Sequence, residues 1–256
     1  MCGYVFLLST EVRLTESCYR PLLERVSIRG RDSQTMIRIG DADMFHARLS
    51  IIDIEHGSQP LSAHDIFLNH HILFNGEIYN HNELRQQLSS VYTFSTKSDT
   101  EVLLAAYLIW GQDALQYLNG MYSFVIYNSL SGEIFFARDP SGQKPLFYSS
   151  AGENILISSC PFPVDGQRDV SPDSLVKYMY NGYISGTSTI YKNVKALLPG
   201  HSVTIKSGVW RKNRYDNPID YLSTPNTLAL EDHDLLELLN QKIEQSVNYC
   251  TVADVP

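Results

Sequence analysis

The stretch "MCGYVFLLST" (Met1–Thr10) sets a cysteine directly behind the initiator methionine, then a glycine, then the apolar run Tyr4–Leu8. A short apolar run with β-branched and aromatic members, closed by Ser9 and Thr10, reads as a buried strand. A small second residue permits removal of Met1, which would leave Cys2 carrying both a thiol and a free α-amino group. Such a residue is a nucleophile with its own base. On these ten residues alone the commoner reading, a core cysteine, prevails. No basic region followed by a long apolar stretch and a small-residue cleavage site stands here, so no secretory signal is expected.

Working outward, strand-like segments recur through the first two hundred residues: "MFHARLSIID" (44–53), "HILFNGEIYN" (71–80), "YSFVIYN" (122–128), "EIFFARD" (133–139), "PLFYSS" (145–150) and "NILISS" (154–159). Their β-branched and aromatic content and flanking turn residues support that assignment. "NSLSG" (128–132) reads as a hairpin connection. Helices are interleaved. Asn80 and Ser98 stand three residues before Glu83 and Glu101, the capping-box spacing. After Ser98, Leu103, Tyr107, Trp110 and Ala114 recur at helical spacing. Pro172 in "SPDSL" suits a first helical position. Hairpins and helices alternate irregularly, without parallel βαβ repeats, which predicts an α+β layered fold over a doubly wound one.

Beyond the hairpin-like "HSVTIKSGVWRKNRY" (201–215), "DNPIDYLSTPNT" (216–227) has linker chemistry. A helix follows, with Leu236, Leu239, Ile243 and Val247 on one stripe. An apolar stripe needs a cover, and the expectation is that it belongs to a following domain.

The 256 residues are 43% hydrophobic and 19% charged, ordinary for a globular chain with a substantial core. No apolar stretch approaches bilayer length, so no membrane role is expected. A net charge of −8 argues against a nucleic-acid partner. Cys2, Cys18, Cys160 and Cys250 are widely spaced and form no CxxC pair, which predicts neither zinc nor a disulfide framework, and a cytoplasmic location. His70 and His71 adjoin, but strand neighbours point to opposite faces, so no catalytic metal is expected.

If Cys2 is a nucleophile, its α-amine, with an ordinary pKa near 7.7–8.0, can take the thiol proton. Acyl transfer through a thioester then needs donors aimed at an oxyanion. Asn75 offers a side-chain amide and Gly76 a backbone N–H. An isolated Asn-Gly pair is more often a turn, yet Phe74, Ile78 and Tyr79 read as continuous strand. Arg48 is a lone cation in an apolar strand, suited to gripping a carboxylate, or to a strand-edge ion pair. Asp99, with Glu77, could meet an ammonium, or Asp99 could serve only the helix dipole.

Together the N-terminal Cys2-Gly3, "ARLSIID", "GSQPL", "NGEIYNH", "SDTEVLL", "LNGMYSFVIY", "ARDPSGQKPLFY" and "LLPGH" resemble the glutaminase domain of class II glutamine amidotransferases, nearest the glutamine-hydrolysing asparagine synthetase group. The resemblance covers residues 2–205. It implies an N-terminal-nucleophile hydrolase fold, a four-layer αββα sandwich of two antiparallel sheets between helices. It also implies Cys2 as nucleophile, Asn75 and Gly76 as oxyanion hole, and Arg48, Glu77 and Asp99 as glutamine ligands, with main-chain groups of Leu49, Ser50, Ile51 and Ile52 lining the pocket. L-glutamine is the expected substrate, with no cofactor in this chain.

Residues 206–227 are expected to be a hairpin end and linker, and 228–256 the start of a synthetase domain using ATP and Mg2+. A homodimer is possible on this reading. Where the group carries His-Arg-Gly-Pro-Asp this chain has "IRGRD", with Ile28 and Arg31 at the departures, and Ser141 replaces a usual aromatic. Two alternatives stay open. One is a non-catalytic scaffold of the same fold in an amide- or lactam-forming synthetase, and the other an amidase acting on a different acyl group.

Overall fold

The computed structural model describes residues 2–64, 67–217, 220, 231–251 and 254. Its first strand, β1 (Gly3–Leu8), alternates between two cores: Tyr4 and Phe6 face one, Val5 and Leu7 the other. A strand that must bury both faces cannot show polar alternation, which is why the sequence reads as one apolar run.

β1 lies inside a six-stranded sheet with β2 (Ser33–Ile39), β3 (Ala42–Arg48), β8 (Phe147–Ala151), β9 (Asn154–Ser158) and β10 (Lys195–Ala196), in the order β10-β8-β9-β1-β3-β2. A second six-stranded sheet holds β4 (Leu61–Ser62), β5 (His70–Ile78), β6 (Gly120–Asn128), β7 (Glu133–Arg138), β11 (His201–Lys206) and β12 (Val209–Arg214), in the order β12-β11-β7-β6-β5-β4. Every adjacent pair is antiparallel.

Between the sheets, Tyr4, Phe6 and Met44 pack against Leu73, Val125, Phe136 and Val203. Outside the first sheet, α1 (Arg20–Ser27) lays Leu22 and Val26 on Val5, Leu7 and Phe45. Outside the second, α2 (His81–Leu88) and α3 (Asp99–Trp110) cover Ile72, Phe74, Phe124 and Phe135 with Leu84, Val102 and Leu103. Each such side chain contributes roughly 1.5–3 kcal/mol by leaving water, so three apolar interfaces fix four layers, α-β-β-α.

Several local expectations need correction. The strand expected over 44–53 stops at Arg48, because 49–53 turn away as a loop whose carbonyls the Arg48 side chain collects. Asn80 does not cap α2; its amide donates to the Tyr117 carbonyl and its oxygen accepts from the Asn119 N–H, pinning the helix to the loop before β6. Ser98 does cap α3, accepting from the Thr100 N–H, but Glu101 does not reach back to it. Its carboxylate instead accepts four hydrogen bonds from Ser95 and Thr96, closing the loop ahead of the helix.

Ser171 caps α4 (Pro172–Asn181) with Pro172 in its first turn. Val176, Met179 and Tyr180 project from that helix into solvent. The second sheet runs past residue 205, since β12 pairs with β11 along Val209–Arg214 as its edge. Most of the expected linker lies outside the described residues. In α5 (Asp232–Cys250) the stripe Leu236, Leu239, Ile243 and Val247 is exposed. No described helix is long and apolar enough to cross a membrane.

Candidate active site

Antiparallel pairing of β1 with β3 sets Gly3 opposite Ala47, so Cys2 at the head of one strand meets Leu49 just past the end of the other. The Cys2 Sγ accepts from the Leu49 N–H at 3.3 Å and lies 3.5 Å from the Leu49 carbonyl, to which the S–H donates. Arg29 Nε donates to the Cys2 carbonyl at 3.0 Å, fixing its peptide. Burial pushes the thiol pKa above its ordinary value despite the Leu49 N–H and the nearby Arg48 charge. A thiol held this way reacts only once a base removes its proton.

Cys2 opens into a cleft of about 210 Å³ whose lining includes Arg48, Leu49, Ile51, Ile52, Gln59, Asn75, Gly76, Glu77, Asp99 and Lys144. The structure therefore gathers the residues singled out from sequence, except Ser50, whose N–H turns away to the Asp32 carboxylate at 2.7 Å.

Asn75 and Gly76 lie within β5, opposite Ser123 and Tyr122, and not in a turn. The Asn75 side chain is 1% exposed, and neither its nitrogen nor its oxygen has a hydrogen-bond partner. Burying an amide unpaired costs about 1–3 kcal/mol, so an orphan aimed at a cleft is matched to something that arrives there. Gly76 is required for a different reason than open access. A Cβ there would lie 2.1 Å from the Met121 carbonyl, so only glycine lets β5 and β6 close at this point.

His46 supports this arrangement. Its Nε2 lies 3.0 Å from the Phe74 carbonyl, an acceptor only, so Nε2 carries the proton. Burial lowers its pKa to about 4, and the ring stays neutral through physiological pH. Gln59 holds the same residue by its other backbone group, accepting from the Phe74 N–H at 2.7 Å and donating to Thr100 Oγ1 at 3.2 Å.

Asp99, 5% exposed, accepts from the Ile78 N–H at 3.0 Å. Burial first, then neighbouring Glu77, raises its pKa to about 7. Burial also raises Glu77, opposed by the Lys144 charge. Arg48 differs from the sequence expectation of a free fork. Its Nη1 donates to the Ile54 carbonyl and its Nη2 to those of Ile52 and Asp53, so Nη2 is fully used and no two-pronged grip on a carboxylate is left in this arrangement. Gly57 makes room for it, since a Cβ there would sit 2.4 Å from Nη2.

Sequence reading passed over Arg29, Gln59 and Lys144. "GSQPL" and "GQKPLFY" stood out as blocks, but neither signals from spacing alone that a side chain enters a cleft. Ile28, Arg31 and Ser141, the departures, are all exposed and line none of it. Among the described residues no group of three His, Cys, Asp or Glu side chains could hold a metal ion.

An αββα sandwich with a cysteine at the head of an inner strand, lining one small cleft with a buried amide, has the architecture of the N-terminal-nucleophile hydrolase fold. Residues 1–216 match the family described as the glutamine amidotransferase domain, and the chain belongs to that family. It is 32% identical to asparagine synthetase [glutamine-hydrolyzing] 1 of Bacillus subtilis, over 100% of this chain and 41% of that protein. It is 28% identical to the amidase chyE of Penicillium rubens, over 91% of this chain and 35% of that one. Among solved structures, glutamine phosphoribosylpyrophosphate amidotransferase from B. subtilis superposes with a TM-score of 0.60 at 19% identity, covering 84% of this chain and 49% of that one, a likeness of fold. The chain thus spans about two fifths of the first of these relatives.

Proposed function

We propose that this domain hydrolyses L-glutamine to glutamate and ammonia through a thioester on Cys2, and that the ammonia serves an ATP-dependent amide synthetase domain of the asparagine synthetase kind. The observation that carries the reading is the orphaned Asn75 amide in the cleft that holds the Cys2 thiol.

With Met1 removed, the Cys2 α-amine takes the thiol proton, and the thiolate attacks the side-chain amide carbon of glutamine. Charge develops on the carbonyl oxygen, where the Asn75 Nδ2–H and the Gly76 N–H receive it. Collapse breaks the C–N bond, and the α-ammonium returns its proton to the departing ammonia. Water, deprotonated by the same amine, then attacks the thioester; glutamate leaves and the thiol is restored. Asp99 and Glu77 meet the substrate α-ammonium. Arg48, through its remaining Nη1 N–H, and the main chain of Leu49, Ile51 and Ile52 meet its α-carboxylate.

Residues 2–214 form the glutaminase unit on this reading, and the uncovered faces of α4 and α5 suit contact with the synthetase domain that would bind ATP and Mg2+. The test is glutamate release by purified chain lacking Met1. Activity that survives Cys2→Ala would refute the proposal.

A further inference from the structure

Asp53 has a left-handed backbone, at φ 49°, which a residue other than glycine keeps only where its surroundings over-determine it. Every polar group of Asp53 is engaged. Its carboxylate accepts from the His56 and Lys97 N–H groups at 3.2 and 2.7 Å, and its carbonyl accepts from Arg48 Nη2 at 2.6 Å. Its N–H donates to the Asp254 carboxylate at 2.7 Å, and the Asp254 N–H donates to the Ile51 carbonyl at 3.0 Å. Asp254 stands 201 positions further along the chain, outside the residues 1–216 that match the glutamine amidotransferase domain.

Those two bonds act on a loop that lines the Cys2 cleft through Ile51 and Ile52. In a trans peptide the N–H points opposite to the C=O. With the Ile51 carbonyl turned to Asp254, the Ile52 N–H faces the other side of the loop, where it has no hydrogen-bond partner among the described residues. With the Asp53 N–H also turned to Asp254, the Ile52 carbonyl faces Arg48, whose Nη2 donates to it at 3.1 Å. Asp254 and Arg48 thus hold the peptide between Ile52 and Asp53 from opposite ends.

The part of the loop nearer Cys2 is fixed without Asp254. Strand pairing sets Leu49 against the Cys2 Sγ, Ser50 donates to the Asp32 carboxylate, and the Asp32 N–H donates to the Arg48 carbonyl at 3.0 Å. The helix that leads to Asp254 also lies against the domain, where Lys242, Gln245 and Tyr249 of α5 line one recess with Tyr79 and Asn119.

We infer that Asp254 is a positioning residue for the substrate cleft: it orients the Ile51–Asp53 loop, and with it the Ile52 N–H offered to the substrate, so substrate binding depends on a residue beyond the glutamine amidotransferase match. The inference rests on the glutaminase reading for the identity of the substrate. By linkage the dependence runs both ways, and a substrate that steadies the loop also steadies the seat of Asp254.

Steady-state glutamate release by the chain lacking Met1 separates positioning from chemistry. Asp254→Ala should raise KM for L-glutamine at least about fivefold and leave kcat within about twofold, because Cys2, Asn75 and Gly76 keep their places. Asp254→Asn retains an acceptor oxygen and should restore most of the parent KM. Hydrogen exchange at the Asp53 amide, read by NMR, should quicken at least about tenfold in Asp254→Ala while amides of the two sheets keep the parent rate. In a Cys2→Ala chain, L-glutamine should slow exchange at the Asp254 amide, a comparison that needs no substitution at 254.

An unchanged KM in a folded Asp254→Ala chain, a kcat that falls as far as KM rises, or equal impairment of Asp254→Asn overturns the role of Asp254 and leaves the glutaminase proposal standing. So does an Asp53 amide whose exchange ignores Asp254→Ala, or an Asp254 amide that ignores L-glutamine bound to Cys2→Ala. A parent chain that releases no glutamate removes the glutaminase reading itself, and exchange at Asp53 still decides whether Asp254 holds the loop.

Discussion

Replacing Asn75 with alanine perturbs activity and stability in opposite senses, and the structure sets both magnitudes. The amide is 1% exposed with both polar atoms unpaired, so its truncation orphans no partner and relieves a desolvated group worth about 1–3 kcal/mol. Loss of a few packed atoms offsets part of that gain, which leaves the folded state no less stable than the parent. An oxyanion donor, by contrast, contributes about 2.7–4 kcal/mol to the chemical step, so kcat should fall by about 10²–10³ with little change in KM. Steady-state glutamate release gives the kinetic half and urea unfolding the thermodynamic half. A variant that lost stability and kept most of its kcat would refute the reasoning, because Asn75 would then be a structural residue satisfied by its fold.

The α-amine base predicts that an uncleavable residue ahead of Cys2 abolishes glutamate release in a folded chain, since an amide nitrogen cannot accept the thiol proton; intact mass and activity measured on one sample check it. Asp99 titrates at about 7, so as pH falls from 8 to 6 it gains a proton, loses its attraction for an ammonium, and KM for L-glutamine should rise several-fold. Asp99→Asn should show a high KM that no longer varies over that range, read from steady-state kinetics. His46→Phe removes the donor that holds the Phe74 carbonyl and should lower kcat by about tenfold with KM nearly unchanged. Burial keeps His46 neutral, so the parent's kcat should show no His46 titration above pH 5.

The strands buried on two faces were legible because their sequences have no polar side to hide: Tyr4–Leu8, Ile72–Asn75 and Phe124–Tyr127 read as strands and are. β2 escaped because "SQTMIRI" is a sheet edge with exposed and half-buried positions and carries the polar residues an edge needs. α1 escaped because eight residues give barely two turns of periodicity, with Pro21 in the first.

Side chains that act at a distance misled the reading of local signals. Asn80 spends both ends of its amide on residues 117 and 119, and Arg48 bends the following loop around itself, and no windowed pattern contains either contact. The cleft residues could be nominated by type, but their meeting depends on strand register, and Ser50 shows how one residue of a nominated run turns outward. Lys144 was invisible for the same reason: Arg138 donates to its carbonyl and Asp139 accepts from its N–H, contacts that residue spacing does not announce.

The claim on which the account rests is that Cys2, freed of Met1, carries the acyl group of glutamine. The direct measurement is intact-mass analysis of the processed chain, mixed with L-glutamine and quenched in acid within the first turnovers. The account predicts one γ-glutamyl adduct per chain on Cys2, absent from Cys2→Ala and increased by D2O or any condition that slows thioester hydrolysis. A folded chain lacking Met1 that releases glutamate at full rate from Cys2→Ala, or that forms neither adduct nor glutamate, would contradict it.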